Sequence, residues 1–132
     1  MFVVRTSLRP SGIHGLGCYA DEPIQKGQIV WQFDPRIDIF LTPEDISSFP
    51  AAVQEYYLIH GSVEIRGGRE MFAFSTDDSK YMNHSDEPNL LESPDGLIEY
   101  AARDIPAGEE LTCNYHVFDL RADDKLKRFG EE

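Results

Sequence analysis

Apolar residues fall in short runs along the chain, and clusters of Gly, Pro and Asp close each run. "FVVRTS" (2–7), "QIVWQF" (28–33), "RIDIFL" (36–41), "EMFAFS" (70–75) and "LIEYAAR" (97–103) are rich in β-branched and aromatic residues and read as strands. In the last of these, Ile98, Tyr100 and Ala102 alternate with Glu99, Ala101 and Arg103, the period of a half-buried strand. Two helices are predicted between them. "TPEDISSF" offers Thr42 as N-cap, Pro43 at the first helical position and acids in the first turn. "AAVQEYYLIHG" follows Pro50 and stops at Gly61. "RADDKLKRF" near the end predicts one more short helix. "IQKGQIV" (24–30) and "IPAGEEL" (105–111) echo each other as Ile-x-x-Gly-x-x-aliphatic, two glycine turns feeding strands at opposite ends of the domain. The pattern predicts a mostly β domain with a few short helices and a helical insert near residues 42–61.

Composition narrows the function classes. A chain of 132 residues with 41% hydrophobic residues is enough for one domain with its own core. Asp and Glu number 24 against 12 Lys and Arg, a formal net charge of −12 with no basic run, so the field opposes direct nucleic-acid binding and favours a cationic partner. The same acidity also serves simply to keep a small domain soluble. Two cysteines, Cys18 and Cys113, make no disulfide framework, no apolar run approaches membrane-spanning length, and "MFVVRTSLRPSG" lacks the apolar stretch of a secretion signal. These features predict a reduced, intracellular setting and no membrane association.

Three polar stretches carry the candidate chemistry. "HGLGCYA" (14–20) sets two glycines about Leu16, which lets backbone approach a ligand. It has neither the third glycine of a dinucleotide loop nor the Gly-Lys-Ser/Thr of a phosphate loop. "KYMNHSDEPN" (80–89) pairs Asn83 with His84 and reads equally as a polar turn. "AGEELTCNYH" (107–116) is an acid- and threonine-rich strand that ends at Tyr115, a position that packing alone also explains.

Taken in order and at this separation, the three stretches resemble the SET-domain family of protein lysine methyltransferases, over roughly residues 3–118. The resemblance implies a SET-domain (β-clip) fold of several small sheets with a knot-like, threaded C-terminal segment. It implies a SET domain over residues 1–118 and a short, helical tail over 119–132. It also implies S-adenosyl-L-methionine as the methyl donor. By similarity, the backbone of His14, Gly15, Leu16 and Gly17, with Tyr19 beside it, holds the donor's amino-acid end, which the Asn83 amide also binds. The His84 main chain reads the adenine edge, and Tyr81 lies near the cofactor. Tyr115 is the implied catalytic tyrosine, in a substrate channel with Cys113 and Phe118. The implied partner is a lysine-bearing basic protein, a histone or histone-like tail or another such protein.

The chain departs from the family pattern at several positions. Lys80 stands where many members have an arginine paired with an acid at the position of Glu110, so the implied Lys80–Glu110 pair lacks the bidentate fork. Asp86 replaces a cysteine common after Asn-His-Ser, and the stretch from Val117 to Glu132 has no cysteine, so the zinc-bound module that follows many SET domains is missing. Phe118, the tail helix or a second subunit would then close the channel, which leaves a homodimer open. Cys113 replaces a family Phe or Tyr, and its small side chain implies room for di- or trimethyllysine. A zinc site from His14, Cys18, Cys113 and His116 is a competing reading, opposed by strand alternation that sets Cys113 and His116 on opposite faces. A SET-like module that binds a basic peptide without transferring methyl is another.

Overall fold

The computed structural model describes residues 1–130. Three small sheets carry the fold. The first has the order β1-β2-β10-β7, from β1 (Thr6–Pro10), β2 (Leu16–Ala20), β10 (Glu110–Cys113) and β7 (Asn83–His84). The second is β3-β9-β8, from β3 (Ile29–Gln32), β9 (Ile98–Ala101) and β8 (Leu90–Glu92), and the third is β4-β6-β5, from β4 (Asp38–Leu41), β6 (Arg69–Ser75) and β5 (Ser62–Arg66). All strand pairs are antiparallel except β10 with β7. Among the described residues no helix is long and apolar enough to cross a membrane.

The helices form where the caps predict them. Helix α1 (Pro43–Ser48) opens on a capping box in which Asp45 N–H donates to Thr42 Oγ1 and Thr42 N–H to the Asp45 carboxylate, both at 3.0 Å. Helix α2 (Ala51–His60) stops where Gly61 N–H donates to the Tyr57 carbonyl. The charged tail forms α3 (Ala122–Gly130), whose Leu126 and Phe129 pack against the core.

Two sequence expectations are corrected. The strand expected over 2–7 is divided. Phe2 bridges Trp31 while Val3 N–H donates to the Val30 carbonyl, so the first residues extend the β3 edge and only Thr6 onward pairs with β2. The echoed turns do not sit at opposite ends but side by side. Ile24 and Ile105 exchange both backbone hydrogen bonds at 2.8 Å, and each is 1% exposed. The glycines of both turns have positive φ, +83° at Gly27 and +90° at Gly108, which explains why the same residue recurs at the same offset. The core closes around this bridge with Cys18, Val30, Leu90 and Leu111. The alternation expected over 97–103 holds, but the face that turns inward is that of Glu99 and Ala101, while Ile98 and Tyr100 stay half-exposed.

Candidate functional site

The pairing of β10 with both β2 and β7 brings the three polar stretches together, and Glu110 is their meeting point. Its carboxylate accepts from Ser11 Oγ at 2.8 Å, from the Tyr19 hydroxyl at 3.3 Å and from Asn83 Nδ2 at 2.9 Å. Asn83, buried on β7, also points its amide nitrogen at the His14 and Leu16 carbonyls, each at 3.0 Å. The Asn83 carboxamide oxygen has no donor among the described residues. Asn89, from the same stretch, buttresses the cluster. Its side chain donates to Glu109 and to the Glu110 carbonyl and accepts from Thr112 N–H, each at 2.8 Å, which fixes β10 in place.

Gly17 is a contact requirement of this cluster. A Cβ there would lie 2.4 Å from Glu110 Oε2, so any side chain displaces the carboxylate that joins the stretches. Gly17→Ala is therefore expected to cost about 2 kcal/mol of stability and to weaken any ligand held by the Asn83 loop. Urea denaturation checks this, and a loss below about 0.5 kcal/mol would mean that the carboxylate moves aside freely.

Tyr115 begins a short 3-10 turn directly after β10. Its hydroxyl donates to the Met82 carbonyl at 2.5 Å, and its backbone N–H donates to His84 Nδ1 at 3.0 Å. Burial, with the nearby Cys113 and Asp119, pushes the phenol well above its ordinary range, so the hydroxyl keeps its proton. Because His84 Nδ1 accepts, Nε2 is left to carry the ring proton toward Asp86 Oδ1, 2.8 Å away. Cys113, Tyr115 and Phe118 line one cavity of about 120 Å³, with Trp31, Phe33 and Phe74 among its other walls. Lys125 of α3 reaches the same cavity. Its ammonium donates to the Gly61 carbonyl at 2.5 Å, pairs with Asp119 at 2.7 Å and lies 5.1 Å from the centre of the Tyr115 ring.

The remaining candidates are distributed as follows. His14 stacks on Phe129 of α3 at 4.1 Å, and Tyr81 packs on the core beside His60. The expected Lys80–Glu110 pair is not formed. Lys80 Nζ instead lies 5.4–6.0 Å from the centres of the Tyr56, Phe74 and Tyr81 rings, while Glu110 is taken by Ser11, Tyr19 and Asn83. A lysine here settles on aromatic faces because, unlike an arginine fork, it gains little geometric specificity from a carboxylate. The four residues of the zinc alternative face different surroundings. Cys18 donates to the Asp78 carbonyl, and His116 contacts Asp123 and the His84 ring. Burial pushes the Cys18 thiol up to about 12 and the Cys113 thiol well above its ordinary value. Among the described residues the one trio with metal-ligand spacing is His84, Asp86 and His116, whose ligand atoms lie within 4.8 Å of one another at the surface.

Sequence reasoning missed Ser11, Asn89, Glu99, Asp119 and Lys125. Asn89 stood inside a stretch already singled out. Ser11 resembled any turn serine, and the other three read as ordinary surface charge.

Comparison with known proteins agrees with this architecture. The chain is 28% identical to the histone-lysine N-methyltransferase ATX2 of Arabidopsis thaliana over 88% of its length, and spans only 11% of that relative. Its fold matches a Plasmodium falciparum histone methyltransferase candidate with a TM-score of 0.59 at 18% identity, covering 85% of this chain and 93% of that one. It also matches the Polycomb Repressive Complex 2 of Chaetomium thermophilum with a TM-score of 0.66 at 20% identity, covering 92% of this chain and 16% of that one. The family described as the SET domain matches residues 15–116, which take in every strand from β2 to β10 together with Asn83, Glu110 and Tyr115, and the chain is a member of the SET-domain family.

Proposed function

We propose that the chain is a protein-lysine N-methyltransferase that uses S-adenosyl-L-methionine. The observation that carries this reading is the Glu110 cluster, because it sets the Gly-x-Gly backbone, Asn83 and the base of the Tyr115 turn on one wall. That wall suits the donor's amino-acid end, since the Asn83 carboxamide oxygen is left to accept from an α-ammonium. When bound, S-adenosylmethionine supplies a sulfonium-activated methyl group. Tyr115, whose proton goes to the Met82 carbonyl, keeps hydroxyl lone pairs that orient an incoming amine. Cys113, small and buried, leaves volume beside Tyr115 for an amine that already carries methyl groups, so di- and trimethyllysine are the expected products. Phe118 and α3, through Lys125, form one side of the cavity. A lysine enters as an ammonium with a pKa near 10.4 and must lose its proton before it attacks. Alignment in a desolvated cavity then lowers the barrier. The net charge of −12 favours a basic protein substrate, and the histone-directed relative makes a histone-like tail the first to try.

Calorimetric titration with S-adenosylmethionine tests the reading without a substrate. Saturable binding is expected, weakened roughly tenfold or more by Asn83→Ala. In a labelled transfer assay on basic proteins, Tyr115→Phe is expected to lower the rate by about a hundredfold, with binding of the donor retained. A folded protein that binds no donor would instead favour a module that holds a basic peptide without modifying it.

A further inference from the structure

The register of the second sheet sets two acids opposite each other. Glu92 of β8 pairs with Glu99 of β9, and Trp31 of β3 stands on the other side of Glu99. Like charges directly opposite on adjacent strands repel. Glu99 is 7% exposed, lines the cavity that Tyr115 and Cys113 also line, and receives no hydrogen bond from any described residue. The other acids of that cavity are satisfied. Asp38 holds the Met1 amino group and Ser75, and Glu64 holds Arg66 at 2.7 Å and Ser62 at 2.6 Å. The nearby lysines are engaged too, Lys125 with Asp119 and Lys80 over aromatic rings. Neither carboxyl has an ion-pair partner among the described residues, since Arg66, the cation near Glu92, is held by Glu64, and the aromatic walls beside them suit a cation. Burial pushes both carboxyls up; Glu64 adds to it at Glu92, which reaches about 7 although Arg66 pulls it back, and Glu92 and then Glu64 add to it at Glu99, which reaches about 8.

We propose that Glu92 and Glu99 form a receptor for the ammonium group of a lysine side chain, within the cavity that Tyr115 lines. The assignment of the ligand as a lysine rests on the methyltransferase reading of the site. The cation takes the place of the protons that the two carboxyls otherwise hold, and the aliphatic stem lies along the aromatic walls. The other charges facing the pair are Glu64 and Arg66 of β5, Asp95 beyond β8, the Met1 amino group held by Asp38, and the Cys113 thiol of β10.

The test uses n-butylammonium, a four-carbon primary amine, as probe, with n-butanol as its neutral counterpart. Protein labelled at the glutamate carboxyl carbons is titrated by NMR from pH 6 to pH 8.5, with and without S-adenosylmethionine. The amine is expected to shift the Glu92 and Glu99 signals saturably and to bind more tightly as pH rises through the carboxyl range. Glu99→Gln and Glu92→Gln, each nearly isosteric, are each expected to weaken it roughly tenfold, and n-butanol is expected to leave the two signals unmoved. No saturable shift at these carboxyls in the folded protein, or unchanged affinity in both variants, overturns the proposal. If the donor binds in the same sample while the amine does not, this inference alone fails. If the amine binds at Glu92 and Glu99 while the donor does not, the receptor stands and the methyltransferase reading falls.

Discussion

Asp119→Ala is expected to remove about 3–5 kcal/mol of stability, more than any other single truncation outside the apolar core. Asp119 is completely buried at its side chain and Lys125 is 8% exposed, with nitrogen and oxygen 2.7 Å apart. The same carboxylate accepts from Val63 N–H at 3.1 Å and Arg121 N–H at 3.0 Å. Truncation therefore leaves an ammonium in a dry site with only the Gly61 carbonyl and the Tyr115 ring for company, and it orphans a backbone donor of β5. Against a total of roughly 5–15 kcal/mol for a domain, such a loss is a large fraction. Urea denaturation measures it. The pair lies out of water, so the loss should persist in high salt, whereas an exposed pair would be screened. Lys125→Met with Asp119→Asn should recover much of the loss, because the double change leaves no uncompensated charge. A loss under about 1 kcal/mol for Asp119→Ala would mean that water reaches the pair.

The consequence reaches the candidate site, since Asp119 is what directs Lys125 toward Tyr115. Without it the lysine has every reason to swing to solvent, and α3 loses its tether to the Gly61 end of α2. Phe129, which stacks on His14, belongs to the same helix. The tail is thus built into two walls at once, the cavity through Lys125 and the Gly-x-Gly loop through Phe129.

How far the sequence disclosed this arrangement varies with the kind of signal. Caps are local chemistry, so Thr42, Pro43 and Gly61 marked the ends of α1 and α2 before any tertiary contact was known. The polar stretches were legible because several uncommon residues had to recur in one order, and the Glu110 cluster now shows Gly17, Asn83 and Glu110 in direct contact. Pairings between distant segments were illegible. Nothing local tells Phe2 to continue β3, or Ile24 to meet Ile105, since each choice is settled by the whole core. The same holds for charge. Lys125 and Asp119 read as solvated residues in a charged tail, and Lys80 as half of an ion pair, because a sequence shows how many charges exist and not which of them are dry. Glu99 is the sharpest case. In "LIEYAAR" the apolar face is Ile98, Tyr100 and Ala102, yet the bulge between Ile29 and Trp31 and the pairing to β8 turn the Glu99 face inward.

That inversion predicts an unusual dependence of stability on pH. Glu99 rises from its ordinary 4.5 to about 8 and Glu92 from 4.5 to about 7, so in this range the folded protein binds protons that the unfolded chain has released. Stability therefore falls as pH rises from about 4.5 to about 8, opposite to the usual behaviour of carboxylates. Glu109 opposes this at the acid end. Hydrogen bonds from Arg103 and Asn89 hold it below its ordinary value, so its contribution is present above about 4.5 and fades as pH drops further. Maximum stability is expected near pH 5, with a decline of about 4 kcal/mol by pH 8.5, most of it from buried Glu99 because Glu92 is partly screened by water. Glu99→Gln keeps the shape and removes the titration, so its unfolding free energy should change little across that window and should exceed that of the wild type at pH 8.5. Urea denaturation of both proteins at pH 5.5 and 8.5 decides the matter, and parallel pH dependence in the two would show that Glu99 ionises freely in the folded state. Saturating n-butylammonium at pH 8.5 should return part of the lost stability to the wild type and about 1.4 kcal/mol less to Glu99→Gln, the equivalent of a tenfold weaker affinity, since a ligand stabilises the folded form in proportion to how tightly it binds it.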